Sequence, residues 1–151
     1  MNTFRERDIR HAIHDLLQQT GAFDGVYLAG LPEDRGEAAT DIQAVSIDPS
    51  KTSGVDVADD QNSDLLMTCQ VSLVFLSRHE DPQLRDENVE LLLNVAASAL
   101  SGQSLFGATI PAKTRFVSWT WQKPTAPERR IMAVLEFQYL VDGWAGFNTE
   151  E

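Results

Sequence analysis

Leu65 to Ser77 reads as one unbroken extended stretch, LLMTCQVSLVFLS, and it runs within four residues into a helix of nearly twenty. Thirteen residues at about 3.3 Å each make a strand longer than most sheets contain, so whatever the chain folds into must be built around it. Leu65, Met67, Cys69, Val71, Leu73 and Phe75 fall on one side and are uniformly apolar; Leu66, Thr68, Gln70, Ser72, Val74 and Leu76 fall on the other and are mixed. The first face is expected to meet helices, and the second to be partly exposed or covered by a partner.

The helix that follows has a clear start. Asp81 suits the N-cap and Pro82 the first helical position. Val89, Leu92, Leu93, Ala96, Ala99 and Leu100 form an apolar stripe, widened by Leu91, Val95 and Ala97 beyond what one contact surface needs. Gly102 marks its end. A connector with apolar Leu105, Phe106 and Ile110 leads to a second β block, in which Arg115–Trp121 and Ile131–Val141 are expected to form an antiparallel hairpin around KPTAPERR. Ile131, Ala133, Leu135, Phe137, Tyr139 and Val141 alternate strictly with their neighbours, the cleanest two-residue period in the chain.

Upstream, Thr3 and Glu6 have the spacing of a capping box, and Ile9, Ala12, Ile13, Leu16 and Thr20 share a helical face that Gly21 would close. Arg5, Glu6, Arg10, His14 and Gln18 lie mostly on its other faces. Short strands are expected within Phe23–Leu31 and over Ile42–Ile47, separated by the polar loop LPEDRGEAATD. Pro49–Ser63 reads as a linker, mobile in an isolated subunit. The last ten residues, 142–151, carry Trp144 and Phe147 on a Gly-rich tail that is expected to dock on the subunit or a neighbour. These elements predict one α+β domain over 1–151: a mostly antiparallel sheet of four to five strands packed against two helices, with a long central strand leading into the longer helix.

Charge excludes some functions. Twelve basic against 23 acidic residues give a net charge of −11, which repels DNA and anionic lipid at long range. Sequence-specific nucleic-acid binding and membrane association are therefore not expected. The apolar runs fall short of the roughly 20 residues of a bilayer span. Cys69 is the single cysteine, so no disulfide forms within one copy, and its strand position suggests a small buried hydrophobe.

Chemistry-bearing patterns are sparse. His11 and His14 have i,i+3 spacing, but the third histidine, His79, is remote, and a solvated face is the simpler reading. Asp60-x-Asn62-x-Asp64 imitates the start of a calcium loop, yet position six is Leu65 rather than Gly and position twelve Val71 rather than Glu. Weak cation binding by Asp56, Asp59, Asp60 and Asp64 is what remains of it. Glu80, Asp81, Asp86, Glu87 and Glu90 form an acidic patch at the longer helix's start, where carboxylates suit the positive helix end. No Gly-rich phosphate loop or nucleophile elbow is present. No catalytic residue, cofactor site or metal site is expected. Trp119 and Trp121 share one face of their strand, with Phe116 and Ser118 on the other; core, partner contact and ligand platform are all open to them.

The order of these elements, RDIRHAIHDLL, then GVYLAGLPED and QAVSIDPS, then VSLVFLSRHEDPQLRDENVELLLNVAASALSGQSL, then FVSWTWQ and MAVLEFQYLVDG, resembles the tail-terminator and tail-completion proteins of long-tailed bacteriophages, including small tail proteins of Mu-like prophages. The resemblance covers roughly residues 5–142. It implies a non-enzymatic structural protein of the virion, made in the bacterial cytoplasm. Members form rings, commonly of six subunits, that end the tail tube and join it to the head, so the partners are further copies, tail-tube proteins and head-tail connector proteins. On that reading Thr68, Gln70 and Ser72, Asp56, Asp59 and Asp60, and Trp119, Trp121, Trp144 and Phe147 are the candidate subunit-interface residues. Two other readings stay open: a small intracellular adaptor or ligand-binding α+β domain with Trp119 and Trp121 in a groove, and an enzyme using the acidic cluster.

Overall fold

The structure, a computed structural model, describes residues 4–38, 40–56 and 64–141. Helix α1 (Glu6–Gln19) is followed by strand β1 (Gly25–Tyr27), a 3-10 turn at Pro32–Arg35, and strands β2 (Gln43–Asp56) and β3 (Leu65–Arg78). Helix α2 (Pro82–Leu100), two further 3-10 turns, and strands β4 (Arg115–Trp121) and β5 (Glu128–Val141) complete the order. The five strands form one sheet in the order β1-β2-β3-β5-β4, all antiparallel pairs except β1 with β2. Both helices lie on one face, which gives the α+β architecture with β3 at its centre.

The helix-side face holds the main core. Leu73, Phe75, Ile131, Ala133, Leu135, Phe137 and Tyr139 are fully buried there, against Ile9, Ile13 and Leu17 of α1 and Val89, Ala96 and Leu100 of α2. Each such aliphatic or aromatic side chain removed from water stabilises the fold by about 1.5–3 kcal/mol. The strict alternation in β5 and β3 therefore marks the inward face correctly. The register of α1 differs by one position: Leu17 is buried, Leu16 is half-buried and Thr20 is exposed. Thr3 lies outside the described residues, and the N-cap position is Arg5, which makes no side-chain cap bond. Gly21, at φ +71°, stops the helix as expected. In α2 Asp81 does cap, its side chain accepting from the Gln83 N–H at 2.9 Å, with Pro82 beside it.

The segment expected to be a linker is strand through its first half. β2 runs from Gln43 to Asp56, paired with β3 as far as Asp56 opposite Leu65, with a bulge between Pro49 and Lys51. Its second half lacks apolar alternation because it lies on the outer edge of the sheet, where neither face is fully covered, and β3 supplies the template that propensity does not. Pro49 is tolerated there because an edge strand need not donate on both sides. Residues 57–63 lie outside the described residues. β1 spans only three residues of the expected Phe23–Leu31, and β5 starts three residues earlier than its apolar run, at Glu128.

A second, small core closes one end of the opposite face. Leu31, Ala44 and Leu76 are buried together beneath the Pro32–Arg35 turn. Around it Arg78 meets Glu33 at 2.9 Å and Glu128 at 3.2 Å, while Arg130 grips Asp34 at 2.9 Å and Glu128 at 3.1 Å. Arg78 also donates to the Asp41 carbonyl, and Tyr27 to the Asp41 carboxylate. These ion pairs join residues up to 96 apart and leave no local trace in the sequence.

Candidate interaction surfaces

Strand β4 is an edge strand with most of its residues exposed. A bulge between Phe116 and Ser118 shifts its register, so that Phe116 lies opposite Leu135, Trp119 opposite Ala133 and Trp121 opposite Ile131. Those three partners face the helices. Phe116, Trp119 and Trp121 therefore all share the helix side, and Ser118 turns to the open face with Val134, as do Arg115 with Glu136 and Thr120 with Met132. This corrects the simple alternation, which placed Phe116 and Ser118 together; one extra residue in a strand inverts every position before it.

The correction brings three aromatic rings alongside α2. Phe116 and Trp119 with Leu93, Asn94 and Ala97 line a hollow of about 120 Å³. Next to it Trp121 and Arg129 with Asp86, Glu87 and Glu90 line a broader one of about 490 Å³, open to solvent. Trp119 is 59% exposed and Trp121 39%, so neither is core. Leu91 stands 57% exposed on the outer side of α2, which is where the widened apolar stripe goes. The Arg129 guanidinium lies over the Trp121 ring at 4.9 Å. Asp86 sits 3.5 Å from Arg85 and 3.9 Å from Arg129, held by charge, since neither arginine Nε makes a hydrogen bond to it. Three members of the acidic patch, Asp86, Glu87 and Glu90, thus form one wall of a groove whose other wall is Trp121 with Arg129, while Asp81 caps α2.

The open face of the sheet carries Thr68, Gln70 and Ser72 in a row on β3, all half-buried. Gln70 donates to Glu136 at 3.1 Å and Gln138 to Thr68 at 3.3 Å, so these four are paired across β3 and β5, while Ser72 lies opposite Val134. It is separate from the tryptophans, which lie on the other side of the sheet. Asp56 closes β2 opposite Leu65. Asp59, Asp60, Trp144 and Phe147 lie outside the described residues.

Reactive groups are muted by their surroundings. Burial pushes the Cys69 thiol up to about 12, so it is held as a neutral thiol at physiological pH. Burial likewise raises Tyr139 to about 12, although its hydroxyl accepts from the Arg5 N–H at 3.2 Å. Tyr27 is also raised to about 12, first by its bond to Asp41. His14 contacts Asp15 at 3.0 Å and His79 accepts from the Asp81 N–H at 2.9 Å, so the three histidines do not converge. Among the described residues no group of three His, Cys, Asp or Glu side chains is placed to share a metal. The stretch 82–107 is long and apolar enough to cross a bilayer by length and composition, more than the sequence reading allowed, yet its inner face is built into the core through Val89, Leu92, Ala96 and Leu100.

No protein-family model matches the chain, and no curated protein does. Among solved structures, a chain described as "Virion of native gene transfer agent (GTA) particle" is similar, with 16% identity over 89% of this chain and 96% of that chain and a TM-score of 0.47. That degree of likeness is too slight to carry a functional inference.

Proposed function

We propose that this chain is a non-enzymatic structural component of a phage or prophage tail, a single domain that assembles into a ring, ends the tail tube and joins it to the head. The observation that carries the reading is the β4 edge, where Trp119 and Trp121 stand exposed beside α2, with Leu93 and Ala97 next to Trp119 and Asp86, Glu87 and Glu90 next to Trp121. Apolar surface concentrated at one edge and rimmed by charge marks a site of macromolecular contact. Its aromatic content matches the residues that dominate protein interfaces. The element order resembles tail-terminator proteins over most of the chain, and the sheet and its two helices agree with the architecture which that resemblance implied.

The net charge of −11 suits this role. A ring of such subunits around a DNA channel repels phosphate instead of binding it, so the genome slides through. The inert surroundings of Cys69 and the scattered histidines fit a scaffold. Subunits made in the bacterial cytoplasm would enter the virion through contacts with tail-tube and connector proteins. Thr68, Gln70 and Ser72 on the open face, with Asp56, Asp59 and Asp60 before them in the chain and Trp144 and Phe147 near its end, belong to the proposed contact set.

The test is co-sedimentation with isolated tail tubes that lack their terminator. The reading expects saturable binding at one tube end and restored joining to heads. Protein that stays in the supernatant at every concentration contradicts it. One observation favours a second reading, a small ligand-binding domain: the hollow between Phe116, Trp119 and Leu93. A monomer whose tryptophan fluorescence responds saturably to a small aromatic ligand would select it.

A further inference from the structure

We propose that the free outer edge of β2 in one copy of this chain pairs with the free outer edge of β4 in the next, so that the sheet runs on from subunit to subunit. The inference rests on the ring reading above and names the two strands of its joint.

Both sides of the sheet are open. β1 covers β2 only along Ala44–Ser46, and among the described residues no strand lies outside Lys51–Asp56. β4 has β5 on one side and, among the described residues, no strand on the other. Every second backbone N–H and C=O along such an edge points outward with no partner in the sheet. Proteins that stay single guard these edges with charge, proline or bulges. Here Pro49 and the two bulges stand at one end of each edge, between Pro49 and Lys51 and between Phe116 and Ser118. Beyond them Thr52–Val55, TSGV, and Ser118–Trp121, SWTW, keep regular register, are exposed and carry no charge. With 23% of the chain charged, two bare edges of this kind are left unguarded.

The sheet also fixes how they meet. β2 is antiparallel to β3, β3 to β5 and β5 to β4, so β4 runs opposite to β2. A copy set beside its neighbour by a lateral step therefore offers an antiparallel pairing. Helix-side positions must meet helix-side positions, because a slip of one residue exchanges the faces. Gly54, opposite Met67, and Trp119, opposite Ala133, are on the helix side; Ser53, opposite Thr68, and Thr120, opposite Met132, are on the open face. A slip of two residues either runs Trp121 into the β2 bulge or carries Ser118 past the end of β2. One register is left: Ser118 with Val55, Trp119 with Gly54, Thr120 with Ser53 and Trp121 with Thr52.

That register places the exposed Trp119 ring over a glycine. The ring would lie beside Leu65 and Met67, whose side chains come within 3.1 Å of where a Cβ on Gly54 would stand. An aromatic ring laid across an edge glycine is a stabilising cross-strand pair. An unrelated extended peptide could satisfy the backbone of one edge, whereas a second copy satisfies both edges with the same contact. The two edges are different, so the contact is heterologous, and repetition by a fixed rotation closes a ring with no edge left over.

The experiment is disulfide trapping on the full chain with Ser53→Cys and Thr120→Cys in a Cys69→Ala background. Within one subunit these two positions are three strand spacings apart, about 14 Å. A disulfide needs Cα atoms within about 7 Å, so any bond between them joins two copies. Mild oxidation should give a ladder of covalent multiples on a denaturing gel, while each single-cysteine variant stays unjoined. If the wild type is oligomeric by light-scattering mass and the double-cysteine variant joins no chains, the joint is overturned and the ring reading stands. Pairs formed by a single-cysteine variant would mean that like edges meet, which also overturns it. Thr120→Lys with Ser53→Lys should lower the mass to single subunits with an unchanged circular dichroism spectrum, and Thr120→Lys with Ser53→Glu should restore it; a mass unmoved by the like charges contradicts the register. A wild type that is a single subunit at high concentration overturns both the joint and the ring.

Discussion

Leu135 has no exposed surface and lies opposite Val71 on the helix-side face. Leu135→Asp places an unpaired carboxylate there, and the cost, at least about 4 kcal/mol, is comparable to the whole stability of a domain this size. The variant should be insoluble or lack cooperative unfolding by circular dichroism; a wild-type melting curve would mean the wrong face had been taken as inward. Cys69 makes a subtler prediction. Its ordinary value of 9.0 is raised to about 12 in the folded chain, first by burial. The folded state therefore holds the proton more tightly than the unfolded one. That contribution is fully present below pH 9, and it is lost as pH rises toward 12, at up to about 1.4 kcal/mol per pH unit. Tyr139 adds a similar loss between its ordinary 10.0 and about 12. Urea denaturation from pH 8 to 11 should show a flat profile and then a fall, with the part beginning near pH 9 missing in Cys69→Ala. A slope in Cys69→Ala that equals wild type would assign the loss to other groups. The burial of Cys69 was legible from its place in an apolar alternation, whereas the Arg78–Glu33–Glu128–Arg130 network was not, since its members come together only through the sheet pairing and the Pro32–Arg35 turn.

Among the elements, those with a strong hydrophobic period are readable from the chain and those held by their neighbours are not. β3 and β5 show their buried face residue by residue, and α2 shows its cap and stop. The second half of β2, with Pro49, Lys51 and Gly54, looks like a linker because nothing local favours a strand; pairing with β3 overrides this. The bulge in β4 is silent as well, and it decides that Phe116 joins the tryptophans on the helix side. Two measurements check the element-level account. Asp81→Ala removes the side chain that accepts from Gln83 and should cost about 1 kcal/mol in thermal unfolding, while Asp81→Ser should cost much less. Loss of the same amount in both would mean that the cap bond is not what stabilises this end. Trp119→Ala and Phe137→Ala are expected to separate contact from core. Trp119 is exposed, so its loss should change monomer stability by no more than about 0.5 kcal/mol, while Phe137, fully buried, should cost about 3–5 kcal/mol. A large loss at Trp119 would return that ring to the core.

For the molecule as a whole, the sheet and helices account for the apolar residues of the interior, and what is left over is unevenly placed. Aromatic rings and carboxylates gather along β4 and α2, with Arg129 among them, and on the open face Gln70 pairs with Glu136 and Gln138 with Thr68. A closed ring built from subunits of net charge −11 is suited to pass DNA without holding it. The central claim is that copies of this chain assemble with one another into a ring. The most direct test is the solution mass of the purified protein at high concentration, taken with negative-stain images of the same sample. The account predicts a mass of several subunits and closed rings with a central opening; a single-subunit mass at every concentration, with no rings in the images, would contradict it.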